Sequence, residues 1–160
     1  MEESNKKSVL GTVLKVALAG CGCMVVLGAI AAVSLGVVGA KATEQYELKA
    51  KRSELPKNVD EIRTKQAFYD AAHDGYVAAG SEAEARASLT PEPRAWKGGG
   101  GWDPLDWWPN EMVRGGYWVA VSATGFTVHG VIDADGDGVA AEYVATESTS
   151  ATLVTSEDVY

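Results

Sequence analysis

From Val16 to Ala40 the chain runs for 25 residues without a charged side chain, and every other segment has to be placed relative to that stretch. At about 1.5 Å of rise per residue it reaches roughly 37 Å, enough to cross a hydrocarbon layer of about 30 Å with some tilt. A lone segment in lipid must satisfy its own backbone hydrogen bonds, so helix is the economical conformation. Five glycines, Gly20, Gly22, Gly28, Gly36 and Gly39, lie inside it. In water each would weaken a helix by about 1 kcal/mol relative to alanine, whereas a membrane helix tolerates them. The run is read as one transmembrane helix. It divides the chain into a segment 1–15, the span 16–40, a juxtamembrane helix 41–56 and one soluble domain 57–160.

Within the span, Gly28, Ala32, Gly36 and Ala40 recur at every fourth position and form a flat stripe. This small-xxx-small spacing suits close pairing with a second membrane helix, and it also arises by chance in a helix so rich in glycine and alanine. Both cysteines, Cys21 and Cys23, fall in the span, which leaves the soluble part without a disulfide. Leu18-Ala19-Gly20-Cys21 spells a lipidation sequence, but Lys15 interrupts the apolar stretch upstream and hydrocarbon continues to Ala40. A small buried residue is therefore the expectation for Cys21. Lys6, Lys7 and Lys15 precede the span and Lys41, Lys49, Lys51 and Arg52 follow it, so basic residues barely discriminate its orientation.

Charge is distributed unevenly beyond the membrane. Residues 41–97 carry ten acids and ten bases, whereas 98–160 carry ten acids against Arg114 alone. Such a distal surface repels nucleic acid and anionic headgroups and leaves only cation binding open. Catalysis is not expected either. There is no soluble cysteine, His73 and His129 belong to different elements, and no nucleophile-elbow, zinc-protease, phosphate-loop or dinucleotide fingerprint is present. Gly98 to Gly101 lack the lysine and hydroxyl that a phosphate loop requires, and no small-molecule substrate is indicated.

Taken in order, residues 41–55 are charged and rich in helix formers, so the membrane helix is expected to continue into water until Pro56 interrupts it. Asn58 then caps a second helix whose apolar face is Val59, Ile62, Gln66, Tyr69, His73 and Tyr76, with His73 partly buried. Pro91 and Pro93 exclude helix. Residues 94–116 form a long irregular connection holding four of the five tryptophans. Trp96, Trp102, Trp107 and Trp108 make either an aromatic recognition surface for a partner or, in a small domain without disulfides, an extension of the core. From Tyr117 the period becomes two, giving a strand, a Thr124-Gly125 turn, a second strand 126–132, a third from Val139 to Ala145, and a short strand 151–155 before a polar tail.

The turn between the second and third strands reads Asp133-Ala134-Asp135-Gly136-Asp137-Gly138. The alternation of Asp133, Asp135 and Asp137 matches the first half of a calcium-binding loop, with glycine in the sixth place. The twelfth place is Val144 where that loop needs a glutamate, and Glu142, two places early, is expected to face water. Two readings follow, a weak calcium site in the millimolar range or a tight turn that needs positive φ.

Several stretches, Lys51-Arg52-Ser53-Glu54-Leu55-Pro56, Asn58-Val59-Asp60, Tyr69-Asp70-Ala71-Ala72, the Gly/Trp loop, Gly125-Phe126-Thr127-Val128 and Glu142-Tyr143-Val144-Ala145-Thr146, stand in an order that resembles bacterial type IV pilin-like proteins. The resemblance implies an α+β fold, in which a long N-terminal helix is half embedded in the inner membrane and packs its other half on a three- or four-stranded antiparallel sheet. It also implies a cytoplasmic N-terminus and a periplasmic or extracellular head. The role implied is non-enzymatic, that of a minor subunit of a pilus or secretion pseudopilus that meets copies of itself or other pilin-like subunits. The chain departs from that family after Gly11, because the fifth place of the following stretch is Val16 and not glutamate, and Lys15 stands just before it. A permanently anchored protein, neither cleaved after Gly11 nor lipidated at Cys21, is therefore expected. The alternative is a membrane-tethered periplasmic binding module that uses the tryptophan loop.

Overall fold

The helical run is interrupted at Ser53, three residues before Pro56 and not at it. Residues 42–52 are helical, Ser53 keeps helical dihedrals with its N–H on the Lys49 carbonyl at 3.0 Å, and helix α1 then runs from Glu54 to His73. Pro56 sits in the first turn of α1, where a missing N–H costs little because those donors have no partner inside a new helix. Asn58 is no cap; it is buried on the inner face of α1 and donates to the Tyr117 hydroxyl at 2.9 Å. A domain boundary at 56/57 thus falls inside one continuous element, and the compact unit is Tyr46–Tyr160. These features belong to a computed structural model that describes residues 42–160. The apolar span, the Gly28, Ala32, Gly36 and Ala40 stripe, Gly11, Cys21 and Cys23 lie outside the described residues. Among the described residues no helix is long and apolar enough to cross a membrane.

The protein is α+β, with a four-stranded antiparallel sheet and a helix packed on it. Strands β1 (Gly116–Ser122), β2 (Gly125–Ile132), β3 (Ala141–Thr146) and β4 (Thr152–Leu153) form a simple meander in chain order. Register places Val119 against Val128 and Val128 against Ala145, so one face carries Tyr117, Val119, Phe126, Val128, Ile132, Ala141 and Ala145. Against it α1 lays Leu55, Val59 and Ile62, all fully buried. Each such side chain contributes about 1.5–3 kcal/mol. Gly130 allows the approach, since a Cβ there would lie 2.6 Å from Val59 Cγ2.

The helix ends at Asp74, whose left-handed backbone (φ 56°) returns its N–H to the Asp70 carbonyl at 2.8 Å. Gln66 ties down the returning chain. Its amide is fully buried and exchanges two hydrogen bonds with the backbone of Val77, so a polar group at a core position is satisfied. His73 lies past the packed part of α1 and is exposed, its ring tilted against that of Tyr69 at 4.3 Å, contrary to the partly buried position expected for it.

The outer face of the sheet is covered locally by a short helix α2 (Glu82–Ala87), which Ser81 caps by accepting from the Glu84 N–H. Ala85 meets Trp118 and Val131 there. Glu142 does not face water: Arg86 of α2 donates to it at 2.9 Å, and His129 Nδ1 lies 2.9 Å from its other oxygen. The polar tail is also docked. The Tyr160 ring is buried, the Arg52 guanidinium lies 5.0 Å from its centre, and Arg52 Nη1 donates to the carbonyls of Glu157 and Val159.

Candidate functional site

The tryptophans do not act as one surface. A short helix α3 (Trp102–Leu105) interrupts the 94–116 connection and turns Trp102 inward. Trp107 has no exposed area and is ringed by Trp96 at 5.1 Å, Trp102 at 5.1 Å and Tyr117 at 5.5 Å. Trp96 is half-buried against the edge of Trp102 at 5.4 Å, and only Trp108 remains half exposed. Trp102 and Trp107 are thus core, as a domain without soluble disulfides requires. Gly98 lies under the Trp108 ring, where a Cβ would come within 2.1 Å. Gly101 touches the Ala78 carbonyl so closely that a Cβ would lie 1.8 Å from it.

A groove of about 1120 Å³ lies between α2 and the Gly98–Gly101 stretch, with Trp96, Trp102 and Tyr117 on its wall. Arg94 enters the same wall. A bridge between Arg94 and Val113, 2.8 Å in both directions, holds its backbone. Its side chain is anchored by Nε on the Ser88 carbonyl at 2.7 Å and Nη2 on Ser88 Oγ at 2.7 Å and the Gly115 carbonyl at 2.8 Å. Burial draws this guanidinium below its ordinary value, with Glu54 and Tyr117 acting in the opposite sense. It still carries its charge at neutral pH.

Behind the groove lies a polar knot. The Glu54 carboxylate accepts from the N–H groups of Arg114 (3.0 and 3.1 Å) and Gly115 (3.0 Å) and from the Tyr117 hydroxyl (2.8 Å). Burial first, and then the Glu54 charge, push the Tyr117 hydroxyl well above its ordinary value. The folded state therefore holds a proton that the unfolded chain gives up near pH ~10. Stability from this group is complete below that pH and falls as pH rises through the folded value. Denaturant titrations between neutral and strongly alkaline pH should show this decline, and Tyr117→Phe should flatten it.

Sequence reasoning missed Arg94, Glu54 and the Tyr117–Asn58 contact. Arg94 did leave a signal, because apart from Lys97 it is the last base before the acidic distal part. The other candidate residues stand apart from the groove. His129 lies on the outer sheet face, stacked on Trp118 at 4.4 Å and 3°.

Asp133, Asp135 and Asp137 bring one carboxylate oxygen each within 4.8 Å of one another. Those carboxylates also hold the turn. Asp133 accepts from the N–H groups of Gly136 at 2.7 Å and Gly138 at 3.0 Å, Asp135 from Asp137 at 3.3 Å, and Asp137 from Val139 at 2.7 Å. Gly136 and Gly138 have positive φ. Val144 and Glu142 are strand residues of β3, so neither completes a calcium loop. Millimolar calcium should leave the melting temperature within about 2 °C of its starting value; a rise of several degrees, lost in Asp135→Asn, would establish a calcium site instead.

Set beside known proteins, the chain matches no family model, no curated protein and no solved structure.

Proposed function

We propose that the chain is a non-enzymatic, single-pass membrane-anchored protein of pilin-like organisation. Its α+β domain would serve on the periplasmic or extracellular side as a structural or interaction subunit, of a pilus or secretion pseudopilus, alongside copies of itself or other pilin-like subunits. One observation carries the reading: helical residues 42–52 follow the apolar run and lead directly into α1, whose inner face packs on an antiparallel meander. The separation of His73 and His129 onto different elements supports a role other than catalysis. A reporter fused after Tyr160 should be active only when exported; activity confined to the cytoplasm would overturn the proposal. Cysteines placed at Gly28, Ala32 and Gly36 should crosslink into ladders if the membrane helices assemble.

The groove favours a second reading, a membrane-tethered binding module. The variants that test it must avoid Trp107, which belongs to the core. Trp108→Ala removes a half-exposed ring, and should reduce partner capture without unfolding the domain if the loop binds.

A further inference from the structure

Arg94 is a half-buried cation that no carboxylate contacts, since none of the ion pairs among the described residues includes it. Nε and Nη2 are spent on Ser88 and Gly115, whereas Nη1 has no hydrogen bond among the described residues. The acid whose charge reaches it, Glu54, is occupied by three other groups. Withdrawing a guanidinium from water without an anion is costly, and Nη1 is the position left to meet one. Lys97 adds a second positive charge on the same groove, and Glu84, the one acid lining it, accepts from Ser81 Oγ at 2.8 Å.

The neighbouring edge of β1 is already covered. Val119 of β1 pairs outward with Ala79, at 2.8 and 3.3 Å, so its N–H and C=O face away from β2. Backbone groups two residues apart share an edge, so those of Tyr117 face the same way, where Gly80 packs against them: a Cβ on Gly80 would lie 2.8 Å from the Tyr117 carbonyl oxygen. Opposite lie four consecutive glycines, of which Gly99 accepts from the Trp102 N–H and Gly101 is the N-cap of α3.

We infer that the groove takes a peptide segment bearing an acidic side chain, its carboxylate on Nη1 of Arg94. Burial of apolar surface against the Trp96 wall supplies affinity and the charged contact supplies selectivity. An adjacent apolar side chain of the peptide would lie against Trp96. This inference rests on the second reading above, that the groove binds a partner.

The test is display selection of a random peptide library against the full chain in detergent, followed by binding of the selected peptides. Indole N–H resonances report whether Trp96 is contacted. Selected peptides should carry aspartate or glutamate, shift the Trp96 signal, and lose about tenfold in affinity when that acid is changed to its amide. Arg94→Gln in the protein should remove the same preference. The peptide change leaves the protein untouched, so the outcome does not depend on how the variant folds. Peptides that shift Trp96 but tolerate the amide would overturn the acidic specificity and leave the groove standing. If no selected peptide shifts Trp96, the groove reading falls with it.

Discussion

Trp107→Ala should cost about 3–5 kcal/mol, the range for removing a large aromatic from a packed core. Small domains are held by only about 5–15 kcal/mol. Trp107 is fully buried and contacts three other aromatic rings, so no solvent-facing rearrangement can refill the space. Trp107→Phe should be much milder, because it retains most of the ring contacts and removes an indole N–H that has no hydrogen-bond partner. Trp108→Ala, at a ring that is 50 % exposed, should cost under about 1 kcal/mol. Urea unfolding of the three variants ranks them directly. Equal losses at Trp107 and Trp108 would refute the division of this loop into core and surface.

Glu54→Ala is expected to cost about 3 kcal/mol or more, although glutamate on a helix is usually replaceable. The carboxylate is the shared acceptor for the N–H groups of Arg114 and Gly115 and for the Tyr117 hydroxyl, which in turn accepts from Asn58. Its removal strands donors that cannot all reach water, at about 1–3 kcal/mol each. Glu54→Gln keeps one acceptor and should lie between wild type and alanine. A loss below about 1 kcal/mol for alanine, measured by denaturant unfolding, would mean that the loop relaxes and finds other partners.

The two variants probe the region that the sequence described least well. Strand alternation from Tyr117 to Ala145 was legible because a period of two reflects a local steric rule together with one buried face. The inner face Val119, Phe126, Val128 and Ala145 follows from it directly. Val59, Ile62 and Gln66 were legible for the corresponding reason in a helix. Pro56 misled because proline forbids a helix interior but is welcome in a first turn, and residue type alone does not distinguish the two. His73 continued the periodic face beyond the length of sheet available to cover it. Glu142 looked solvent-facing because its cover, Arg86, is supplied from a different element.

Of the candidate site, the sequence revealed the aromatic richness of 94–116 and the acidic turn. It could not show that Trp102 and Trp107 point inward while Trp108 stays outside, since irregular backbone has no period from which direction can be inferred. Nor could it bring Gly115 to Glu54, 61 residues away in the chain, or to Arg94, 21 residues away, since these contacts form only when β1 joins the sheet. What the sequence determined by itself was what depends on near neighbours: the 25-residue apolar run, the helix and strand periods and the glycine-bearing turn. The tertiary structure alone decided which polar groups share a hydrogen bond, which rings are core and where a cation is left without an anion, because each depends on contacts between elements that no local spacing encodes.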